Sequence, residues 1–233
     1  MQRHGEYVFL ADQDDVWEPE KLGIHMAMLE HGPKQISAVF SDLRIMDSAG
    51  NRRGSFLQSN GLAGHYDTAN ILRANFTVGC SMSVSADLLQ LALPFPSSLE
   101  NHDWWLGLCA AALGQLGFSS EKLVNYRQHA DNAIGGKNYQ KQLFKLRSII
   151  HRQRRVFESK ITAVDELVRR LQVEDRRPPE ALLAWQKQFS QAVRWQTPWQ
   201  LLLSEFKPKS RTLLLIQLLA LSPLTRSQIE KAL

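Results

Sequence analysis

The chain has 233 residues, of which 44% are hydrophobic and 22% are charged. This length accommodates one ordinary domain and an appendage, and the mixed charges exclude intrinsic disorder as the default class. The net charge of +5 is concentrated in the stretch 132–157, which contains no acidic residue and indicates an anionic partner for that segment.

The two cysteines, Cys80 and Cys109, have no CxxC spacing. They therefore predict neither a zinc site nor a disulfide framework, and they favour a reducing cytoplasm. The longest apolar stretch, Leu213 to Leu221, is interrupted by Gln217 and falls far short of the roughly 20 residues that a membrane-spanning helix needs. We expect a cytoplasmic protein that does not cross a membrane by itself.

The first predicted elements are a strand, an acidic loop and a helix. The apolar run from Tyr7 to Ala11 predicts a buried strand that delivers the acidic segment 12–15 at its C-terminal end. Ligands of open α/β sheets bind at that edge. A helix is expected from Pro19 to the stop signal Gly32-Pro33. Its apolar positions are Leu22, Met26 and Leu29.

The remaining predicted elements begin with strands and helices and end in a helical tail. In chain order they are a strand from Ala38 toward Ile45, a turn at 47–51, a surface loop at 52–67, a strand at 75–85, a short helix at 86–93, an apolar helix at 103–113 closed by Gly114, a strand at 122–126, and helices with breaks at Pro178-Pro179, Pro198, Pro208 and Pro223. We predict an α/β domain over residues 1–135, with a mixed sheet and flanking helices. An all-helical C-terminal extension over residues 136–233 follows, with the boundary near Gly135-Gly136.

The acidic loop is the first candidate site. Asp12, Asp14 and Asp15 offer hard oxygen ligands at the mouth of a strand, which suits a divalent cation bound to a diphosphate. The alternative is a solvated acidic turn, in which Asp15 or Glu18 lies at the start of the next helix and stabilises its dipole. The loop alone leaves both interpretations open.

A phosphatase of the haloacid dehalogenase-like kind is a further alternative for this loop. Residues 12–16 satisfy the pattern D-x-D-x-V, with Asp12 as the nucleophile. That class of enzyme also needs a downstream Gly-Asp-type motif, and no Gly-Asp dipeptide occurs in the sequence. The phosphatase would therefore lack its second set of magnesium ligands.

Several separated blocks of the sequence follow one pattern. They are Ala11-Asp12-Gln13-Asp14-Asp15-Val16-Trp17-Glu18-Pro19-Glu20-Lys21-Leu22, then Phe40-Ser41-Asp42-Leu43-Arg44, then Asn75-Phe76-Thr77-Val78-Gly79-Cys80-Ser81-Met82, then His102-Asp103-Trp104-Trp105, and then Tyr126-Arg127-Gln128-His129. In content, order and rough spacing, these blocks resemble family 2 glycosyltransferases of the bacterial rhamnosyltransferase-like kind, with the first block similar to the DxD segment. The resemblance covers residues 7–132 and implies an incomplete GT-A fold, the fold of nucleotide-diphospho-sugar transferases.

The resemblance implies a donor site with a divalent metal, Mg²⁺ or Mn²⁺. Asp14 corresponds to the metal ligand, Asp12 to the nucleotide-sugar side, and Asp15 to an auxiliary ligand. Gly79 and Cys80 would belong to the same donor-binding site. The donor would be a dTDP- or UDP-sugar, with rhamnose as the expected sugar, and the acceptor would be a bacterial surface polysaccharide or a lipid-linked saccharide.

The resemblance also implies a catalytic base and a second metal ligand. Asp103 corresponds to the base of an inverting transfer, which removes the proton of the acceptor hydroxyl as that oxygen attacks. A helix cap is the alternative role of Asp103, because the residue directly precedes an apolar helical run. His129 corresponds to a histidine that closes on the metal or the diphosphate.

One part of the family pattern is missing from the sequence. Members normally begin with a strand-helix-strand-helix stretch that holds the nucleotide base, and no such stretch precedes Tyr7. We therefore expect uncovered strand surfaces and edges, which a second copy or a partner chain would cover. A truncated or inactive form is one consequence, and a non-catalytic interaction module derived from a glycosyltransferase is the alternative function.

The segment from Tyr139 onward alternates basic and apolar residues. An amphipathic helix lying on an anionic inner leaflet fits this pattern, so a peripheral position at the cell membrane is one hypothesis. A solvated basic face on a helix packed against the catalytic domain is the other. No nucleic-acid reader motif accompanies the charges, and we expect no nucleic-acid partner.

Overall fold

The computed structural model describes residues 7–32, 35–127 and 139–189 of the chain. These residues form two compact units. The first consists mainly of residues up to 95 and residues 101–127, and the second consists of residues 96–100 and two helices. The predicted boundary at Gly135-Gly136 lies outside the described residues, as do the predicted breaks at Pro198, Pro208 and Pro223.

A six-stranded mixed sheet forms the centre of the first unit. Its strands are β1 (Tyr7–Phe9), β2 (Val16–Trp17), β3 (Ala38–Met46), β4 (Arg52–Ser55), β5 (Met82–Ser85) and β6 (Leu116–Arg127). The order is β1-β5-β3-β6-β2, and β4 also pairs with β3. Strands β3 and β6 run parallel, from Ala38 opposite Leu116 to Met46 opposite Arg127, whereas the other pairs are antiparallel. The predicted α/β class with a mixed sheet is confirmed.

Helices and one 3-10 turn lie between the strands and after the last of them. They are α1 (Lys21–His31), α2 (Phe56–Ser59), α3 (Thr68–Arg73), the turn Gly79–Ser81, α4 (Ala86–Ala92), α5 (His102–Ala112), α6 (Tyr139–Val173) and α7 (Glu180–Phe189). Local signals set several of these ends. Ser85 caps α4 by accepting a hydrogen bond from the amide of Leu88 at 3.2 Å. Gly114 ends α5 at a φ of 69°, a left-handed conformation that glycine adopts without steric cost.

The core lies around β3, the strand between β5 and β6. Ala38, Val39 and Phe40 are completely buried, as expected for a central strand with both faces covered. The ring of Phe40 lies 5.0 Å from the ring of Tyr66 and 5.4 Å from that of Phe76, measured between centroids. This aromatic cluster fixes the segment that leads into the Gly79–Ser81 turn.

Helix α5 packs into the same core with eight buried residues out of 11. The indole N–H of Trp104 donates to the carbonyl of Ile71 at 2.9 Å, and the indole N–H of Trp105 donates to that of Ala92 at 3.0 Å. Both tryptophans therefore bury large apolar surfaces without leaving a donor unsatisfied. The first turn of α5, which carries Asp103, is thereby attached to the core.

Two predictions near the start of the chain were wrong in detail. The predicted buried strand at 7–11 is β1, which has β5 as its single neighbour among the described strands, and Val8 is 41% exposed. The predicted apolar face of α1 is only partly buried: Leu29 is buried and Met26 is half-buried, but Leu22 is 52% exposed, and the polar Lys21 and His25 are fully buried. Helix α1 packs against β3 and β6, and the buried polar side chains on this face have partners, since Lys21 donates to the carbonyl of Cys80 and His25 hydrogen-bonds to Ser83.

The segment 52–85 is more structured than predicted. The expected surface loop at 52–67 contains β4 and α2, and α3 follows it. Antiparallel pairing with β3 makes the polar residues 52–55 a strand, and the side chains of Ser55 and Asp67 cap α2 and α3. The strand expected over 75–85 is only Met82–Ser85, because the residues before it form a loop and the 3-10 turn.

The second unit contains α6 and α7, with the predicted break at Pro178-Pro179 between them. The rings of Phe157, Trp185 and Phe189 pack together with centroid distances of 4.9 to 6.0 Å. Most side chains of the predicted basic amphipathic face from Tyr139 lie outside the described part, but Arg152 and Arg155 are exposed and Val156 is half-buried. None of the helices in the described ranges is both long enough and apolar enough to span a membrane.

Candidate active site

The acidic loop runs from the end of β1 to β2 and is tied to the end of β6. The Asp15 Oδ1 atom accepts a hydrogen bond from the backbone N–H of Arg127 at 2.9 Å. The guanidinium Nε of Arg127 donates to the carbonyl of Asp14 at 3.1 Å. These bonds connect residues more than 100 positions apart in sequence, so the conformation of the loop depends on the folded sheet.

Asp12 and Asp15 of the loop form a group of possible metal ligands with Cys80 of the 3-10 turn. One ligand atom from each of the three lies within 4.8 Å of the others. Asp12 is exposed, Asp15 is half-buried and Cys80 is fully buried. Asp14, the residue expected to bind the metal, is half-buried and is not a member of this group.

The group contains one buried oxygen that the described residues leave unsatisfied. Oδ2 of Asp15 has no hydrogen-bond partner in acceptable geometry within these ranges. Buried carboxylate oxygens without a partner are costly, and a bound cation is one way to satisfy them. Burial, followed by hydrogen bonding toward Asp15 and the negative charges of Asp15 and Asp12, raises the pKa of the Cys80 thiol. The two carboxylates could therefore hold a cation, and the thiol stays protonated beside them.

Lys21 lies beneath the acidic loop and was missed by sequence reasoning. Its side chain is fully buried, Nζ donates to the carbonyl of Cys80 at 2.6 Å, and Nζ sits 3.6 Å from the ring centroid of Trp17. Burial lowers the pKa of Lys21 to about 8, while the charge of Asp15 opposes that shift. The ammonium group is thus a positive charge inside the fold, beside the acidic residues. The sequence feature that could have revealed Lys21 is its position four residues before His25, because this spacing puts the two polar side chains on one face of the helix.

The helix-capping alternative for the acidic loop is not what the structure contains. Glu20 occupies the N-cap position of α1 and its side chain makes no capping hydrogen bond. The Glu18 carboxylate instead pairs with Arg44 and accepts from Asn125 Nδ2 at 3.1 Å. Asn125 is fully buried, so Glu18 links the start of α1 to the central strands. Asp15 and Glu18 both contact strands and do not cap the helix.

The Gly79–Ser81 turn stands between the acidic loop and Asp103. The amide of Ser81 donates to the carbonyl of Val78 at 2.8 Å, which closes the turn. The backbone N–H of Gly79 donates to the Asp103 carboxylate, and the next side chain, Cys80, belongs to the acidic group. A Cβ atom on Gly79 would lie 3.9 Å from the Cβ of Asp103. One dipeptide therefore contacts both parts of the candidate site.

Asp103 lies in the first turn of α5 and is held by three donors. Its Oδ1 accepts from the backbone N–H of Trp104 at 2.7 Å and from Asn75 Nδ2 at 3.3 Å, and the amide of Gly79 is the third donor. Burial raises the pKa of Asp103, and these donors, with the charge of His102, act against the rise. The N-cap position of α5 is Asn101, so Asp103 is not the capping residue.

The structure thus brings together most of the predicted site residues. Asp12, Asp15 and Cys80 form one group, Gly79 contacts Asp103, and the two parts meet at the 3-10 turn. His129 lies outside the described residues. Tyr126 was not predicted as a site residue, but it lies close enough to the acidic groups that their charges, after burial, raise its pKa.

Comparison with known proteins adds no family to this description. No protein-family model matches the chain, and no curated protein shows significant sequence similarity to it. The family resemblance therefore rests on the sequence blocks described above.

Proposed function

We propose that this chain is a metal-dependent, inverting glycosyltransferase of family 2 with a GT-A fold. It would transfer a sugar, with rhamnose expected, from a dTDP- or UDP-sugar to a bacterial polysaccharide or lipid-linked acceptor. One observation carries the proposal. The dipeptide Gly79-Cys80 contacts a half-buried carboxylate, Asp103, on one side and the acidic group of Asp12 and Asp15 on the other.

The acidic group supplies the donor side in this proposal. Asp12 and Asp15 offer hard carboxylate oxygens, the preferred ligands of Mg²⁺ and Mn²⁺, and one buried oxygen of Asp15 has no partner within the described ranges. A divalent cation held there would neutralise the diphosphate leaving group. Asp14, adjacent in the loop, remains the ligand that the resemblance implies. Lys21 places a further positive charge close to Asp15.

Asp103 supplies the base. The carboxylate would accept the proton of the acceptor hydroxyl while that oxygen attacks the anomeric carbon and the bond to the diphosphate breaks. Burial and the raised pKa make Asp103 a stronger base than an ordinary solvent-exposed aspartate. The donors on Oδ1 stabilise the ionised form before the proton arrives. A positioned base of this kind contributes roughly 10²- to 10⁴-fold to a rate.

Calorimetric titration of the chain with UDP and with dTDP, each with and without Mn²⁺, tests the proposal. We expect metal-dependent binding of at least one nucleotide. Asp15→Asn should weaken that binding at least roughly tenfold, because the variant loses a carboxylate ligand. Asp175→Asn is the matched control, since Asp175 is exposed in the second unit and its φ of 54° suits asparagine equally well. No binding by a demonstrably folded wild-type chain would favour the non-catalytic interaction module.

A further inference from the structure

The loop before the 3-10 turn connects Asn75 both to Thr77 and to Asp103. Asn75 Oδ1 accepts from the backbone N–H of Thr77 at 3.0 Å and from Thr77 Oγ1 at 2.8 Å. Asn75 Nδ2 faces Oδ1 of Asp103 at 3.3 Å. Thr77 Oγ1 also lies 3.1 Å from the backbone carbonyl of Asp103. Two residues of the loop therefore contact both the side chain and the main chain of Asp103.

The orientation of the Asn75 amide is determined by these contacts. An amide carries an acceptor oxygen at one end and a donor nitrogen at the other. The main-chain amide of Thr77 can only donate, so it requires the oxygen of Asn75 on its side. The nitrogen must then point toward Asp103, whose ionised carboxylate can only accept. The reverse orientation would set two donors against each other and would also repel the carboxylate.

The loop is also anchored by packing that does not involve Asp103. Phe76, between the two polar residues, is buried in the aromatic cluster, with its ring 4.9 Å from that of Tyr66 and 5.4 Å from that of Phe40. Thr77 is completely buried. The spacing of Asn75 and Thr77 matches the N-glycosylation pattern, but here the same spacing closes an Asx-turn. Asn75 is therefore a fixed donor.

We propose that Asn75 is a positioning residue, which orients the Asp103 carboxylate by donating to its Oδ1 from a loop anchored through Thr77. This inference rests on the proposed role of Asp103 as the base. Trp104 N–H holds the same oxygen from the helix side, so the carboxylate plane is fixed from two directions. A donor to the ionised form also lowers the pKa of Asp103, which counteracts the effect of burial. A titratable side chain, His102, also acts on Asp103, and its charge lowers the pKa of the carboxyl group.

Asn75→Asp is the decisive variant, because it keeps an acceptor for Thr77 and replaces the donor to Asp103 by a like charge. We expect the pKa of Asp103, followed by carboxyl carbon NMR on the folded chain, to rise in this variant. With donor and acceptor supplied, kcat at neutral pH should fall roughly 10- to 100-fold, as expected for a misplaced catalytic group. The KM for the donor should stay within about twofold, since the acidic loop is unchanged.

Three further variants keep the test falsifiable. Asn60→Asp makes the same substitution at an exposed position, and it should leave both the pKa of Asp103 and kcat unchanged. Thr77→Val removes the hydroxyl that helps to anchor Asn75, and it should raise the pKa of Asp103 by less than Asn75→Asp does. Thr77→Ser keeps the hydroxyl and should restore wild-type values. If Asn75→Asp fails to fold, the comparison of Thr77→Val with Thr77→Ser decides the question.

The outcomes separate this inference from the proposed function. An unchanged pKa of Asp103 in Asn75→Asp and in Thr77→Val would overturn the positioning role of Asn75, whatever the turnover. If the wild type transfers sugar and Asn75→Asp has the same kcat, the positioning role of Asn75 is overturned as well. A folded wild-type chain that transfers no sugar, but in which Asn75→Asp raises the pKa of Asp103, would overturn the proposed function alone.

Discussion

The acidic loop and the Asp103 corner are organised in different ways. The loop carries several like charges, and Lys21 offsets them from within the fold. One oxygen of Asp15 has no partner in the described ranges. At the corner, a single carboxylate receives three donors, from Trp104, Asn75 and Gly79. The loop is tied to β6 by hydrogen bonds from Arg127 but collects like charges, whereas at the corner one carboxylate is itself oriented by several hydrogen bonds.

This difference shows which property each part can contribute. An excess of carboxylates with an unsatisfied oxygen favours binding of a cation, so changes in the loop should act mainly on affinity. A single half-buried carboxylate that is already oriented favours proton transfer, so changes at the corner should act mainly on the rate. The following substitutions test this division, starting with the largest expected effect.

Asp103→Asn should reduce kcat by roughly 10²- to 10⁴-fold, because an amide cannot accept the proton of the acceptor hydroxyl. Metal-dependent nucleotide binding should be unchanged, which calorimetry and steady-state kinetics on the same preparation will determine. Asp15→Asn should show the opposite pattern, with weaker binding as its primary defect. Equal losses of affinity in both variants would contradict the division between the two parts.

The second prediction concerns His25, which packs against the ring of Phe9 and lies near Lys21. His25 is fully buried, its Nδ1 lies 2.8 Å from Ser83 Oγ, and its Nε2 has no partner within the described ranges. Burial first, and then the charge of Lys21, lower the pKa of His25 from 6.5 to about 4. Between these two values the unfolded chain binds more protons than the folded one, so stability falls as the pH drops through this window.

We expect acidification from pH 7 to pH 4 to cost about 3 kcal/mol of unfolding free energy through His25, as 2.5 pKa units imply. Urea unfolding at both pH values will measure this loss, and His25→Gln should remove most of it. The exposed His31 supplies the control, since His31→Gln should keep the wild-type pH dependence. A pH dependence that is identical in both variants would mean that His25 is not the titrating group.

The third prediction uses one substitution at two glycines around the Asp103 corner. A Cβ atom on Gly107 would lie 2.8 Å from Ile71 Cδ1 and 2.8 Å from Thr77 Oγ1. Thr77 is buried and hydrogen-bonded, so Gly107→Ala should cost about 1–3 kcal/mol by overpacking. The nearest atom to a Cβ on Gly79 would be His102 Nε2 at 3.4 Å, which is an ordinary contact.

Gly79→Ala should therefore change the unfolding free energy by less than about 1 kcal/mol. Denaturant unfolding of the two variants measures the difference directly. Any loss of donor binding in folded Gly79→Ala would then report on the site itself. Equal destabilisation by both substitutions would contradict the structure, in which a Cβ atom is crowded at Gly107 but not at Gly79.

Sequence reasoning was most successful where the signals are local. The helices α4 and α5 and the strand β3 lie close to their predicted positions, because capping residues, glycine and dense apolar runs specify them. It failed where pairing partners decide the conformation. The polar strand β4 exists because β3 lies beside it, and β6 extends from the predicted 122–126 back to Leu116 through parallel pairing with β3.

The candidate site shows the same division at the level of single residues. The acidic residues of the loop and Asp103 were identified from sequence blocks as site residues, whereas Lys21, Asn75 and Tyr126 lie in the same blocks but were not given a role. Lys21 lies in a quoted block, but its apolar neighbour Leu22 matched the helical spacing and is instead exposed. A lysine in a helix is normally solvated, and only the carbonyl of Cys80, the ring of Trp17 and nearby acids make its burial favourable.

The sequence by itself determined the α/β class, the order of most elements, and which residues are candidates for the acidic donor site and for the catalytic base. Periodicity, caps and turn residues act over a few positions, so they can be recognised without the fold. The tertiary structure alone decided that Asp12 and Asp15 meet Cys80, and that Asn75 donates to Asp103. These contacts join residues from 28 to more than 60 positions apart, and their geometry follows from strand pairing and core packing, which no local pattern encodes.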